Sequence, residues 1–315
     1  MSVLVTGGAG FIGSNLVDRL LAEGRSVDAV DNLSSGRLSN LADARSASVG
    51  EFSFHQLDVR DANAADLIEK RKPEVIFHLA AQIDVRVSVQ DPVLDAMINI
   101  IGTLNVLEGA RRAGTRKVVF ASSGGTIYGE VDAEDLPVTE AHAQIPLSPY
   151  GVSKKVASDY LNAYRELHQV EFTSLALANV YGPRQDPHGE AGVVAIFANK
   201  LLASEQCRIY GDGGQTRDYV FVDDVVDAFV RAADKGSGLV CNIGTGIETS
   251  VNELYQVMAL NAGVTQEPEH APARKGELAR SALDAARAKL HLGWEPFTNL
   301  ADGTAAVLDY FRAAS

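Results

Sequence analysis

Short apolar runs alternate with stretches of helical periodicity along most of this chain. Runs at residues 2–6, 26–30, 52–57, 75–79, 117–122 and 172–177 read as buried strands. Between them lie amphipathic stretches such as Ser14 to Ala22, and two longer segments, Pro92 to Ala113 and Pro149 to His168, read as helices. This alternation predicts right-handed crossovers and an α/β fold with a doubly wound parallel sheet.

After Asn179 the pattern changes. Residues 182–189, beginning Gly182-Pro-Arg-Gln-Asp-Pro-His, read as an irregular loop, followed by a helix through Leu202. Tyr219 to Val222 and Leu239 to Ile243 read as strands returning to the main sheet. The expected division is therefore a Rossmann domain at 1–178 and a smaller domain mainly at 179–315, made discontinuous by segments near 219–245. No repeat, low-complexity tract or long linker interrupts it.

The glycines add chemistry. The apolar strand Val3 to Thr6 runs into Gly7-Gly-Ala-Gly10-Phe-Ile-Gly13 and then into the first amphipathic stretch. Gly7 permits a tight turn, Gly10 lets backbone approach a pyrophosphate, and Gly13 allows close packing, so a dinucleotide would rest its phosphates on the helix N-terminus. Asp31 closes the second strand, 18 residues after Gly13. A carboxylate there accepts from a ribose 2′-hydroxyl and repels a 2′-phosphate, which favours NAD over NADP. Asp58, after the third strand, is placed to reach the adenine side.

Tyr150 and Lys154 stand one helical turn apart, so phenol and ammonium share a face. A free phenol titrates near 10. A neighbouring ammonium and a positive nicotinamide ring would stabilise phenolate and make Tyr150 a base.

Composition narrows the partners. The chain has 315 residues and a net charge of -13, which argues against nucleic acid or an anionic membrane. Cys207 and Cys241 lack metal-ligand spacing and read as buried thiols in a reducing compartment. No metal site is expected. No basic leader precedes the first strand and no apolar run approaches the length of a membrane span, so a cytoplasmic protein is expected.

The glycine loop, His78-Leu-Ala-Ala-Gln82, Ser122 to Gly129, Tyr150 to Lys154, Asn179 to Arg184, Thr216 to Val222 and Asn242 to Gly246 together resemble the extended short-chain dehydrogenase/reductase family. The resemblance spans nearly the whole chain and points to its nucleotide-sugar epimerases, most of all the bacterial UDP-glucose 4-epimerase type. It implies NAD as cofactor, a UDP-hexose as substrate, a transient 4-keto sugar, and a homodimer in which the two long helices pair as a four-helix bundle. The implied cofactor set is Gly7, Gly10, Phe11, Ile12, Gly13, Asp31, Asn32, Ser34, Gly36, Asp58, Val59, Leu79, Ala80, Ala81, Gln82, Asn99, Ser122, Tyr150 and Lys154. Lys154 would also hold the nicotinamide ribose.

The chain departs from the family at one point. Where the resembled epimerases carry a Ser or Thr four residues before the Tyr-Gly pair, this chain has Gly124. Ser123 and Thr126 are the nearest hydroxyls, and strand alternation favours Thr126 for the proton relay. No carboxylate lies between Ser122 and Gly129, so elimination and decarboxylation lack the acid and base that related dehydratases and decarboxylases use. Redox-neutral epimerisation needs neither.

For the substrate, the resemblance assigns Asn179, Arg217 and Arg274 to the diphosphate and Glu277 to the uridine ribose. Two arginines on a diphosphate are a strong pairing. Val194, Phe197 and Tyr210 would flank the base. Arg86, with Arg184 and His188, stands near the expected sugar site. An arginine facing C6 would suit a carboxylate, which makes a UDP-glucuronate 4-epimerase the alternative. A non-catalytic NAD-binding sensor or scaffold is the reading from another class, but such proteins typically lose the tyrosine or lysine, and both are present here.

Overall fold

The computed structural model describes residues 1–187, 192–273 and 278–314. Its strands in chain order are β1 (Ser2–Thr6), β2 (Ser26–Asp31), β3 (Phe52–Gln56), β4 (Val75–His78), β5 (Lys117–Ser123), β6 (Glu171–Leu177), β7 (Asn179–Tyr181), β8 (Arg208–Tyr210), β9 (Thr216–Arg217), β10 (Tyr219–Phe221), β11 (Leu239–Ile243), β12 (Thr249–Ser250) and β13 (Glu269–Ala271). Seven of them form one parallel sheet in the order β11-β6-β5-β4-β1-β2-β3.

The continuous apolar runs follow from burial on both faces. Val3, Val5, Phe77 and Val119 project to one side, where they pack with Leu16, Val17 and Leu20 of the helix Phe11–Ala22 and Phe229 of Val222–Ala232. Leu4, Ile76, Val118 and Phe120 project to the other, against Ile68, Val106, Leu107, Ala157 and Leu161. Register holds the layers together: Val3 stands opposite Val27 on one side and Val75 on the other. Because β2 and β4 both flank β1, connections leave in opposite directions there, and a crevice opens at the carboxyl ends of these strands.

Leu239–Ile243 is the outermost strand of this sheet, beside β6. Tyr219–Phe221 corrects the sequence expectation, because it pairs with β7 in a separate two-stranded ladder. The buried Asp218 accounts for the difference. Its backbone carbonyl accepts from Asn179 N–H at 2.9 Å, while its carboxylate accepts from the N–H groups of Thr245, Gly246 and Leu283, at 2.8, 3.0 and 3.2 Å. The segment is thereby fixed beyond the sheet edge. Two further short ladders, β9 with β12 and β8 with β13, complete the C-terminal region.

Both long helices begin on caps that the sequence supplies. Ser148 Oγ accepts Gly151 N–H at 3.1 Å ahead of Pro149–His168, with Pro149 in the first turn. Asp91 accepts Leu94 N–H at 2.9 Å, and the helical run from Pro92 to Ala113 then passes through a π-helical turn at Met97–Ile101. By length and composition this run is long and apolar enough to cross a membrane, which corrects the expectation that no segment approached that length. Within the fold 44% of its apolar window is buried. Val89, Val93, Met97 and Ile101 remain exposed at four-residue spacing, and Val152 and Tyr160 of Pro149–His168 are exposed as well.

Candidate active site

The crevice at the ends of β1, β2 and β4 is a cavity of about 830 Å³. Gly7, Gly10, Phe11, Ile12 and Gly13 form its floor. Gly7 has φ +69°, donates its N–H to Val30 O at 2.8 Å, and would place a Cβ 2.8 Å from Ala80 N. A Cβ on Gly13 would collide with Gly7 O. Both glycines are thus demanded by close approach of backbone to backbone.

Asp31, at the end of β2, accepts Ala9 N–H at 3.0 Å and Leu33 N–H at 2.8 Å, with Leu33 at φ +61°. Gly36 does not line the cavity; it packs behind Asp31, where a Cβ would lie 2.8 Å from both carboxylate oxygens. Asn32, Ser34, Asp58 and Val59 line the wall beyond. Asn32 Nδ2 donates to Asp58 at 2.8 Å, and Arg60, which the sequence did not single out, grips Asp58 through Nε and Nη2 at 3.0 and 2.7 Å. The Arg60 hydrogen bond holds the Asp58 carboxyl down at about 2.

Leu79, Ala80, Ala81 and Gln82 cross the cavity on the loop after β4. Asn99, in the π-helical turn, stands behind that loop, accepting Gln82 N–H and donating to Gln82 O, both at 2.9 Å. His78 is buried between Thr6 Oγ1 at 2.7 Å and Thr103 Oγ1 at 3.0 Å. Burial, and then the Lys154 charge, push it down to about 3. Ser122, 3% exposed, lines the cavity and its hydroxyl has no hydrogen-bond partner among the described residues. A glycine floor on a helix N-terminus, a strand-end carboxylate and an unpartnered buried hydroxyl together fit a dinucleotide.

Tyr150 and Lys154 enter the same cavity from the first turns of Pro149–His168. Lys154 Nζ donates to Ala121 O at 2.9 Å and lies 4.8 Å from the Phe120 ring centre and 5.7 Å from that of Tyr150. Burial pushes the Tyr150 phenol up to about 12, opposed by a hydrogen bond with Ser123 and assisted by the Asp95 charge. Burial lowers Lys154 to about 8, against the pull of Asp95.

Thr126 turns away, its hydroxyl donating to Ser123 O at 3.4 Å. A Cβ at Gly124 would collide with Leu283 Cδ1 and lie 3.1 Å from Ala176 O, so Leu283 occupies the space of the family's hydroxyl residue. Gly151 lets the turn after β5 settle on the helix, since a Cβ there would lie 2.7 Å from Thr126 O.

The substrate candidates are more scattered. Asn179 is exposed at the start of β7, and Arg217 Nη1 donates to Thr216 O at 2.7 Å. Tyr210 is half-buried, while Val194 and Phe197 are core residues, Phe197 meeting Tyr255 edge-on at 5.5 Å. Arg86 does not line the cavity; its side chain is 62% exposed at a helix entry, 3.7 Å from Asp84. Arg184 does line it, but is tied to Asp18 at 2.6 Å and Asp43 at 3.1 Å. Arg274, Glu277 and His188 lie outside the described residues. The sequence reading missed Asp95 and Ser153 behind the site; a carboxylate inside an otherwise apolar helix and a serine preceding Lys154 were the available signals.

Residues 3–244 match the NAD dependent epimerase/dehydratase family. The chain belongs to that family. It is 53% identical to a UDP-glucose 4-epimerase of Mycolicibacterium smegmatis, covering 100% of both chains. It is similar to the crystal structure of a Thermotoga maritima UDP-glucose 4-epimerase with UDP-glucose, with TM-score 0.94 and 45% identity over 100% of this chain and 99% of that one. The Thermus thermophilus UDP-glucose 4-epimerase complex with NAD gives TM-score 0.91 and 42% identity, covering 100% of both.

Proposed function

We propose that this protein is an NAD-dependent 4-epimerase of UDP-hexoses that interconverts UDP-glucose and UDP-galactose. The observation that carries the reading is the buried Tyr150–Lys154 pair, adjoined from Ser122 to Gly129 by hydroxyls and no carboxylate. Such a site can move a proton on and off a sugar hydroxyl but has no acid and base in that segment for elimination or decarboxylation.

The glycine floor, Asp31, Asp58, Ser122 and Lys154 would hold NAD, which when bound supplies a reversible hydride acceptor at the sugar carbon. With its phenol pushed up to about 12 by burial, Tyr150 needs nearby positive charge to act as base near neutrality, and Lys154 and the nicotinamide ring provide it. Tyr150 removes the O4 proton as the C4 hydrogen departs with its electron pair, leaving a 4-keto sugar. Ser123, which holds the pKa of that phenol down against burial, is the hydroxyl proposed to share the proton. Once the ketone has turned its other face, the hydrogen returns, Tyr150 reprotonates O4, and C4 is inverted.

Asn179 and Arg217, with Arg274 and Glu277, are proposed to hold the UDP moiety, in a C-terminal part that spans 179–315. The glucuronate alternative has less support, because Arg184 already pairs with two carboxylates and Arg86 stands on the surface. The exposed stripe Val89, Val93, Met97 and Ile101 with Val152 and Tyr160 supports a homodimer built on the two long helices.

The test is purified protein with NAD+, incubated in parallel with UDP-glucose and UDP-glucuronate and analysed by NMR. UDP-galactose forming from the first alone is expected. UDP-galacturonate from the second, with little product from the first, would overturn the choice of sugar.

A further inference from the structure

Asp95 is a carboxylate that the proposed chemistry does not use, yet it is only 1% exposed and sits at the centre of the site's supporting bonds. Its Oδ1 accepts from Asn99 Nδ2 at 3.0 Å and Gln82 Nε2 at 3.1 Å, and its Oδ2 accepts from Ser153 Oγ at 2.8 Å. Ser153 Oγ in turn accepts from Asn99 Nδ2 at 3.3 Å, and its own proton is shared between Asp95 Oδ2 and Tyr150 O, the latter at 3.0 Å. Oδ1 is therefore met by two amide donors, and Oδ2 by a hydroxyl whose single proton Tyr150 O also receives.

A buried anion needs a buried cation. His78, on β4, is pushed down to about 3 and is neutral. Lys154, 3% exposed and one residue beyond Ser153, is the cation at hand. The groups in contact with it are Ala121 O and the Phe120 ring of β5 and the Tyr150 ring of its own helix, while the neutral His78 and, from the opposing helix, Asp95 act on it through space without a direct ion pair.

We infer that Asp95 is a positioning residue: its carboxylate is the counter-charge of the Lys154 ammonium and the common acceptor that aligns Ser153, Asn99 and Gln82 around it. The inference rests on Tyr150 and Lys154 being the catalytic pair. By ordering Gln82 and Asn99, Asp95 also holds the loop that crosses the cavity after β4. By keeping Lys154 charged it preserves the positive field that the Tyr150 phenolate needs, even though the same carboxylate lies close enough to oppose that phenolate directly.

The test compares the parent with Asp95→Asn, which keeps an oxygen for Gln82 and Asn99 but removes the charge. Lysine 13Cε-labelled, NAD-loaded protein is titrated by NMR, with Lys154→Arg identifying the resonance. The Lys154 midpoint is expected to fall by on the order of one pH unit. Where turnover is measurable, both limbs of the kcat–pH profile should slide to lower pH with it. An unmoved Lys154 midpoint in a variant that keeps its melting temperature and bound NAD overturns the inference. The lysine titration does not require turnover, so failure of the epimerase reading is seen separately, as absence of product from the parent.

If Asp95→Asn does not fold, Ser153→Ala keeps the charge and removes one bond. It should leave the Lys154 midpoint in place and lower kcat roughly tenfold. Parental kcat in that variant contradicts the aligning role.

Discussion

The Ser123 side chain holds the pKa of the Tyr150 phenol down against the upward push of burial, and it stands one residue before the position at which the resembled epimerases carry their hydroxyl. At that position, 124, a side chain would displace the buried Leu283. The relay is thus accommodated by the neighbouring residue. Ser123→Ala should lower kcat by about 10²-fold, while Thr126→Val, whose hydroxyl is turned to a backbone carbonyl, should stay within about twofold of the parent. Initial rates of UDP-galactose formation decide between them, and the opposite ranking would reassign the relay to Thr126.

Gly36 is needed because Asp31 fills the space beside it. Gly36→Ala should push the carboxylate off the Ala9 and Leu33 amides and weaken NAD binding by roughly tenfold, with no change in the preference for NAD over NADP. Asp31→Asn should weaken NAD binding and narrow that preference. Calorimetric titration with both nucleotides checks this, and unchanged NAD affinity in Gly36→Ala would contradict it.

Stability should fall in mild acid. His78 has its pKa lowered from 6.5 to about 3 in the fold, so between these values the unfolded chain binds the proton and the folded one does not. The contribution is full above about 6.5 and is lost as pH drops toward 3. The urea midpoint should therefore decline between pH 7 and pH 5 more steeply in the parent than in His78→Gln, even though the variant is less stable at neutrality. Parallel declines would contradict this role of His78.

Val93 and Met97 lie next to each other on the exposed stripe of the long helical run. Val93→Asp with Met97→Asp should convert a particle of two 33.5 kDa chains into one of a single chain, with turnover reduced no more than bound NAD. Light scattering on a sizing column reads the mass directly. A parent that elutes as a single chain removes the dimer from the account.

The main sheet was legible because β1, β2, β4, β5 and β6 are largely buried on both faces, which writes apolar runs into the sequence, whereas the edge strand β3 is only half-buried. The glycine loop, Asp31 and the Tyr150–Lys154 turn were legible because each demands particular residues at fixed spacing. Tyr219–Phe221 was assigned to the wrong sheet because three apolar residues do not name a partner, and its pairing is fixed by the Asp218 bonds to distant segments. Val194 and Phe197 sit in the core, since an apolar helix face reads alike whether it lines a pocket or a protein interior. The Asp95 network escaped notice because Gln82, Asn99 and Ser153 meet only in three dimensions.

The most direct measurement uses UDP-glucose carrying deuterium at C4, turned over by the NAD-loaded protein in ordinary water. If Tyr150 handles only the O4 proton while the C4 hydrogen leaves and returns as hydride, UDP-galactose should form with its deuterium still on C4, and Tyr150→Phe should give none. Loss of the deuterium to solvent, or undiminished product from Tyr150→Phe, would contradict the account.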